Sequence, residues 1–236
     1  MISFHGDIEL KKQLLVNLGV HKELDHFMQG DYWLDYDQKG CAIGCTLVDF
    51  GEKPNDHSAY EPLFGIPRVL AKLEDGIFEG LSVEDSKWWP LAFAESVPVG
   101  KDLSLVWPKF AVWLLSDVKK HATSDGVKAI DRVIGLYERR ISGNEPSIEE
   151  WKEARTAAYA AAYADADADA DAAYDAAYAA AYAAADADAA ADADAADAYA
   201  AAYAAYAAAY ADADADACQG ARKIQALKLI EIFGEI

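Results

Sequence analysis

The stretch AAYAAAYADADADADAAYDAAYAAAY, residues 157–182, opens a tract that continues to residue 217 and contains only alanine, tyrosine and aspartate. Its 61 residues comprise 39 Ala, 13 Asp and 9 Tyr, with no glycine or proline. Alanine has the highest helix propensity, and aspartate costs only about half a kcal/mol per site relative to it. The composition therefore predicts that the tract is helical.

Two helical arrangements fit this tract. On one continuous helix, the tyrosines fall within an arc of about 140°, and the tract forms a rod about 90 Å long. The aspartates, however, concentrate between the tyrosine clusters, and aspartate favours caps and turns. We therefore favour shorter antiparallel helices, which bury the tyrosine stripes against alanine faces, and keep the rod as the alternative.

The tract also carries most of the chain's charge. Of a formal net charge of −20, it supplies 13 Asp and no Lys or Arg, whereas the other residues hold 21 basic and 28 acidic side chains. Such a surface repels nucleic acid and anionic membranes and favours basic partners. The candidate acidic surface consists of Asp165, Asp167, Asp169, Asp171, Asp186, Asp188, Asp192, Asp194, Asp212, Asp214 and Asp216. Expansion of the tract by replication slippage, without any function, is the competing explanation.

Composition divides the chain into a compact head, residues 1–146, and a tail, residues 147–236. Residues 1–156 contain all six Trp and all seven Pro, which is typical of a domain that buries a core. The tail is predicted to begin at a capping box formed by Ser147 and Glu150. It ends in an amphipathic helix at residues 222–233, whose apolar face must dock on the tail, on the head or on a second copy.

The head is predicted to be helical, which makes the whole chain all-α. Its apolar residues recur at helical spacing, and no sustained alternation indicates a strand. Gly19 is expected to end the first helix, and Glu74 and Asp75 are expected to face outward from the helix that begins at Pro67. Residues 31–36 fit either a strand or a loop. The predicted head helices span residues 7–18, 21–28, 40–48, 67–80, 107–118 and 127–141.

The cysteines indicate a reducing compartment. Cys41, Cys45 and Cys218 are odd in number and lack the spacing of a disulfide framework. The N-terminus has no signal-peptide pattern, and no apolar run approaches the roughly 20 residues of a membrane helix. These features predict a cytoplasmic protein that does not contact a membrane.

No catalytic signature is present. A nucleophile elbow, a Walker loop, a dinucleotide fingerprint and a zincin motif are all missing from the sequence. This absence favours a protein that is not an enzyme, with no catalytic residue, no metal and no cofactor.

The strongest candidate for a chemical site in the head combines Cys41, Cys45 and His57. The two cysteines lie one helical turn apart, which suits close packing of small apolar side chains. With His57, or with His21 and His26, they would instead form a zinc site. A third alternative is a cysteine nucleophile, with His57 as its base and Glu61 orienting that base.

A polar cluster, DHSAYE at residues 56–61, precedes the helix that begins at Pro67. Its side chains His57, Tyr60 and Glu61, together with Arg68, are candidates for contact with a ligand or a partner. The competing interpretation is that Asp56 or Ser58 only caps a helix.

Two motifs of the head resemble a known group of proteins. KGCAIGCT at residues 39–46 and FGIPRVLAKLEDGIFEGL at residues 64–81 are similar to an uncharacterised family of phage, prophage and plasmid proteins with a variable Ala-rich tail. The resemblance covers residues 20–120 and the architecture of the tail. It implies an origin in a mobile element, the cytoplasm of a bacterial host as location, and antagonism of host defence, but it supplies no catalytic residues.

Three functions follow from these observations. The first is a non-enzymatic interaction protein that inhibits a host defence factor, itself basic or nucleic-acid-binding, through the acidic surface. The second is a small-molecule or nucleotide-binding protein, or an enzyme, with a head pocket near Cys41, Cys45 and His57. The third is a structural protein whose tail assembles copies into a homo-oligomer.

Overall fold

The computed structural model describes residues 1–167, residues 177, 179, 180 and 183, and residues 215–236. These residues form α-helices and short 3-10 helices, and their β-structure is limited to three isolated bridges. The predicted all-α fold is therefore confirmed. The helices are α1 (Ile8–Glu23), α2 (Ala42–Asp49), α3 (Tyr60–Phe64), α4 (Arg68–Gly80), α5 (Val83–Ser86), α6 (Trp89–Ser96), α7 (Val106–Val118), α8 (Ser124–Ile141), α9 (Ile148–Asp167) and α10 (Ala215–Gly234).

The chain packs as two units. The first consists of Met1–Val106 together with Arg222–Ile236, and the second of Trp107–Ala221. The packing boundary thus lies before residue 146, where the change in composition placed the boundary between head and tail. The physical reason is that α8 packs along α9 within the second unit, although their compositions differ.

Helix α1 continues further than its sequence indicates. Asp7 caps its start by accepting a hydrogen bond from the Glu9 amide at 2.8 Å. The helix then passes through Gly19 and ends at Glu23, so the predicted stop at Gly19 and the separate helix at residues 21–28 are wrong. The chain turns instead at Asp25, whose φ is +57°.

Residues 31–36 form a loop that packs on α2. The loop closes in an isolated bridge between Leu34 and Lys39, and it supplies no strand. A Cβ atom added at Gly40 would lie 2.1 Å from the Tyr32 carbonyl oxygen, and one added at Gly44 would lie 1.5 Å from it. The predicted close packing of α2 is therefore present. The element that packs closely against Gly40 and Gly44 is, however, a loop and not a second helix.

Helix α4 supplies a buried face that differs from the predicted one at Glu74 and at Asp75, whose side chain is only 13% exposed. Leu70, Leu73 and Ile77 are fully buried, as their spacing predicts. Glu74, which was expected to face outward, is only 1% exposed. This expectation is wrong because position 74 lies one turn from both Leu70 and Ile77, within the same apolar stripe.

The C-terminal helix docks within the first unit. The Phe93 and Phe233 ring centroids lie 5.7 Å apart, and Lys101 Nζ donates to the Ile236 carbonyl at 2.8 Å. An ion pair joins Lys223 to Asp85 at 2.7 Å. The sequence left the tail, the head and a second copy open as docking partners of this helix. The contacts described here are made with the head.

In the second unit, α9 begins at the predicted capping box. The Ser147 amide donates to Glu150 Oε2 at 2.8 Å, and the Glu150 amide donates to Ser147 Oγ at 3.2 Å. Both halves of the reciprocal cap are therefore confirmed.

The start of the Ala-Tyr-Asp tract is folded against α8. The Tyr137 and Trp151 ring centroids lie 4.8 Å apart, and the Tyr137 hydroxyl donates to the Ala183 carbonyl at 2.6 Å. Trp151 and Ala183 thus both contact Tyr137. The tyrosine clusters beyond residue 167, and with them the choice between a rod and packed helices, lie outside the described residues.

Glu150 gives a testable pH dependence. The Arg139 guanidinium, followed by the Ser147 amide, lowers the pKa of the Glu150 carboxyl to about 2. Because this pKa is lower in the folded state than in the unfolded state, the stabilisation is present above about pH 4.5 and is lost as the pH falls toward 2. We expect Glu150→Gln to lower the thermal midpoint at pH 7 and to have a much smaller effect at pH 2, where Glu150 is about half protonated. Equal effects at both pH values would contradict this assignment.

Candidate functional site

A cleft of about 490 Å³ opens in the first unit, where the end of α1, the loop at residues 31–38 and the end of α2 meet. We call it the histidine cleft. Its polar lining includes His21, His26, Asp49, Asn17, Asp35 and Gln38, and its apolar lining includes Trp33, Val20 and Val48. A concave surface with a few convergent polar groups is the usual form of a small-molecule site.

Three of these side chains form a continuous chain of hydrogen bonds. His21 lies in the last turn of α1, and its Nε2 is 3.1 Å from Oδ2 of Asp49, the last residue of α2. His21 Nδ1 is 3.0 Å from Nδ1 of His26, which follows the left-handed turn at Asp25. The order is therefore Asp49, His21, His26, and we call these three hydrogen-bonded side chains the relay.

This chain of hydrogen bonds assigns the protons of both rings. An ionised carboxylate only accepts, so His21 Nε2 carries a hydrogen toward Asp49. In the neutral ring, His21 Nδ1 then accepts the hydrogen of His26 Nδ1. No hydrogen bond within the described part of the chain reaches His26 Nε2. The free lone pair of the relay thus lies on His26 Nε2.

The surroundings of His26 keep this lone pair available at neutral pH. Burial is the main cause that lowers the pKa of His26, and His21 and Lys39 lower it further, whereas Asp49 and Asp25 oppose the shift. Trp33 packs edge-on against the His21 ring, with centroids 5.9 Å apart, and its Nε1 donates to Asp35 at 2.9 Å. These contacts hold the ring of His21 in place between Asp49 and His26.

The arrangement is suited to accept a hydrogen bond at His26 Nε2. The surroundings disfavour the charged ring, and the Asp49 carboxylate at the end of the chain only partly opposes that effect. Many acid–base sites use a carboxylate to orient an imidazole base. The lining of the cleft contains no cysteine or serine to act as a nucleophile.

The two cysteines of the predicted site lie in different surroundings. The Cys45 thiol donates to the Gly40 carbonyl at 3.5 Å, and burial, reinforced by Asp49, raises its pKa to about 12. The Cys41 sulfur accepts from the Gly44 amide at 3.4 Å, and burial followed by the charge of Asp75 raises its pKa well above the usual value. Neither thiol ionises readily, which argues against a cysteine nucleophile.

His57 does not pair with Glu61. Its Nε2 lies 2.8 Å from Asp75 Oδ2 and its Nδ1 lies 3.2 Å from the Asn55 carbonyl. Glu61 instead accepts a hydrogen bond from the Arg68 amide at 3.0 Å and so caps α4. The arrangement in which His57 and Glu61 activate a cysteine is therefore not formed.

The remaining residues of the polar cluster have structural roles. Asp56 accepts from the Ser58 amide at 3.1 Å, which confirms the capping interpretation. Tyr60 is buried beside Glu74. Burial, with the charge of Glu74 next in size, raises the pKa of Tyr60 well above its usual value. Arg68 is half-buried at the start of α4.

A second cluster of ionisable groups surrounds Cys41. Its sulfur and one carboxylate oxygen each of Asp75 and Glu79 lie within 4.8 Å of one another. Burial raises the pKa of Glu79 to about 7, the Gly30 amide opposes that shift, and the charges of Asp75 and Asp31 add to it. The spacing of Asp75 and Glu79, one helical turn apart, was a signal for this cluster that the sequence analysis did not use.

The acidic surface predicted for the tail lies outside the described part of the structure. Asp165 and Asp167 belong to α9 and Asp216 belongs to α10, but their side chains lie outside the described part of the structure. The other predicted aspartates lie outside the described residues altogether: Asp169, Asp171, Asp186, Asp188, Asp192, Asp194, Asp212 and Asp214. Among the described helices, none has both the length and the apolar composition of a membrane span.

Comparison of the chain with protein-family models, curated protein sequences and solved structures gave no match. The resemblance to phage, prophage and plasmid proteins therefore stays a prediction. Assignment of a function depends on the chemistry of the two clusters and on the charge of the tract.

Proposed function

We propose that this protein binds a small, neutral, hydroxyl-bearing ligand in the histidine cleft, with a ligand hydroxyl hydrogen-bonded to His26. The hydrogen-bonded order Asp49, His21, His26 carries this proposal, because it leaves a basic nitrogen at the end of a relay within a cleft. A ligand hydroxyl placed against His26 Nε2 would donate its hydrogen there.

The lining of the cleft favours a neutral ligand over an anionic one. It contains the carboxylates Asp35 and Asp49 and the amides Asn17 and Gln38, but no Lys or Arg. Carboxylates repel a phosphorylated ligand, whereas carboxylate and amide groups bind hydroxyl groups well. Trp33 adds a flat apolar surface of the kind that packs against the face of a sugar-like ring. This chemistry disfavours the nucleotide among the earlier alternatives.

A paired ligand screen tests the proposal. We expect ligand-observed NMR with a set of neutral sugars and polyols to detect binding to the wild-type chain, and little binding of the same compounds carrying a phosphate. His26→Gln should reduce the neutral signal at least 10-fold, because it removes the basic nitrogen that receives the ligand hydroxyl. His121→Gln, the same change in the second unit, should leave it unchanged.

Two results would count against the cleft as the binding site. The first is equal binding of neutral and phosphorylated compounds. The second is binding that survives His26→Gln but is lost in His121→Gln.

A second candidate function rests on the tract of residues 157–217, which has 13 Asp and no Lys or Arg. In this proposal the aspartates engage a basic or nucleic-acid-binding host protein in the bacterial cytoplasm and inhibit a defence system, as the resemblance to mobile-element proteins implies. Charge complementarity of this kind raises association rates and weakens with salt.

Replacement of the aspartates of the candidate acidic surface by asparagine tests this second candidate. We expect the wild-type chain to recover basic host proteins from a lysate at low salt, and the asparagine variant of equal helicity to lose them. Recovery of the same proteins by both chains would show that the aspartates are dispensable.

A further inference from the structure

The ionisable cluster around Cys41 lies where the start of α2 packs against α4. Cys41 is the N-cap residue of α2, and Asp75 and Glu79 lie one turn apart on α4. Their donor atoms lie within 4.8 Å of one another. In a tetrahedral zinc site, with bonds of about 2.0 Å to oxygen and about 2.3 Å to sulfur, ligand atoms are roughly 3.3–3.5 Å apart. The three donor atoms are therefore at most about 1.5 Å further apart than the ligand atoms of such a site.

One oxygen of the cluster lacks a well-formed hydrogen bond. Asp75 Oδ1 is buried and makes no hydrogen bond of good geometry within the described part of the chain, although the Cys41 thiol lies close enough to interact with this carboxylate. A buried carboxylate oxygen without a well-formed hydrogen bond is unfavourable, and such atoms are rare in folded proteins. Cys41 is itself only 1% exposed. A cation at this position would satisfy the oxygen and neutralise the carboxylates around it.

The other atoms of the two carboxylates are already held in place. His57 Nε2 contacts Asp75 Oδ2 at 2.8 Å, and the Asn55 carbonyl accepts from the other side of the ring at 3.2 Å. The Gly30 amide donates to Glu79 Oε2 at 2.9 Å. Hydrogen bonds of this kind orient the ligands of metal sites, so His57 would act as a positioning residue rather than as a ligand.

We propose that Cys41, Asp75 and Glu79 form a binding site for a borderline-soft divalent cation such as Zn²⁺. One sulfur with two carboxylates suits zinc, whereas magnesium and calcium prefer oxygen ligands alone. Three protein ligands leave a fourth position of the tetrahedron open. Binding replaces the S–H bond of Cys41 by a sulfur–metal bond and releases that proton to solvent. The site is distinct from the histidine cleft and does not depend on the function proposed for it.

Cobalt and zinc titrations of the full-length chain, freed of metal with a chelator, test the site. We expect Co²⁺ to produce a thiolate-to-metal charge-transfer absorption band in the wild type, in Cys45→Ser and in Cys218→Ser, and no band in Cys41→Ser. Calorimetric titration with Zn²⁺ should show one equivalent bound and a proton released.

Glu79→Gln tests the carboxylate contribution without depending on the cysteine variants. Glu79 lies partly exposed on α4, so this isosteric change should preserve the fold, as far-ultraviolet circular dichroism will show. We expect it to weaken zinc binding at least 10-fold. Two controls, Glu84→Gln on the exposed face of α5 and His26→Gln in the histidine cleft, should bind zinc as the wild type does.

Three outcomes would overturn the proposal. One is a folded wild-type chain that gives no charge-transfer band at any Co²⁺ concentration. Another is a band that persists in Cys41→Ser and disappears in Cys218→Ser. The third is zinc affinity that falls in His26→Gln but not in Glu79→Gln, which would place the metal in the histidine cleft.

Discussion

Gly44→Ala should destabilise the first unit by about 3 kcal/mol or more, because the new methyl group has no space. A Cβ atom at position 44 would lie 1.5 Å from the Tyr32 carbonyl oxygen and 2.5 Å from its carbonyl carbon. Both atoms belong to the backbone, so no side-chain rotation relieves the overlap. The loop at residues 31–38 would have to move away from α2, and this loop lines the histidine cleft.

Whether the free energy of unfolding falls or rises distinguishes an effect of packing from an effect of helix propensity. In an open helix, replacing glycine by alanine stabilises by about 0.5–1 kcal/mol. Gly19→Ala is the matched control, since Gly19 lies within α1 and a Cβ atom there meets nothing within 4 Å. Urea denaturation followed by tryptophan fluorescence should show a gain for Gly19→Ala and a large loss for Gly44→Ala. Equal gains for both variants would contradict the packing of the loop on α2.

Tyr137→Phe should produce the second large loss, in the second unit. The Tyr137 hydroxyl accepts from Trp107 Nε1 at 2.9 Å and donates to the Ala183 carbonyl at 2.6 Å, and both bonds are buried. Removing the hydroxyl leaves a buried donor and a buried acceptor unpaired, at about 1–3 kcal/mol each. We therefore expect a destabilisation of about 2–4 kcal/mol.

Hydrogen exchange adds a local readout to this variant. Protection of the amides at residues 177, 179, 180 and 183 should fall in Tyr137→Phe, because the bond to Ala183 is lost. Tyr163→Phe is the control, since Tyr163 lies on α9 of the same unit and is 60% exposed. Unchanged protection at these four residues in Tyr137→Phe would contradict the contact between Tyr137 and Ala183.

The sequence predicted those features that depend on neighbouring residues. The reciprocal cap of Ser147 and Glu150 requires only the spacing of three residues, and the start of α4 requires only Pro67. Helix α7 likewise follows from its own apolar spacing. Such local signals do not depend on the rest of the fold, which is why they were read correctly.

The candidate site depends on contacts that no local pattern encodes. His21 and Asp49 are far apart along the chain, and they meet because α2 packs against α1. The loop that supplies Trp33 gave no decisive pattern, because its position is fixed by the close approach of Tyr32 to Gly44. The exposure predicted for Glu74 is wrong for a different reason. A charge favours an exposed position, but position 74 lies within the apolar stripe of α4 and is buried.

The protonation state of His26 tests the central claim most directly. A long-range ¹H–¹⁵N correlation spectrum of the ¹⁵N-labelled chain at pH 7 reports which ring nitrogens carry hydrogen. The relay predicts a neutral His26 with hydrogen on Nδ1 and none on Nε2, and His21 with hydrogen on Nε2, toward Asp49. Asp49→Asn should disturb both rings and leave His121 unchanged. A wild-type spectrum with hydrogen on Nε2 of His26 would contradict the relay, and with it the proposed hydrogen bond from a ligand hydroxyl to His26.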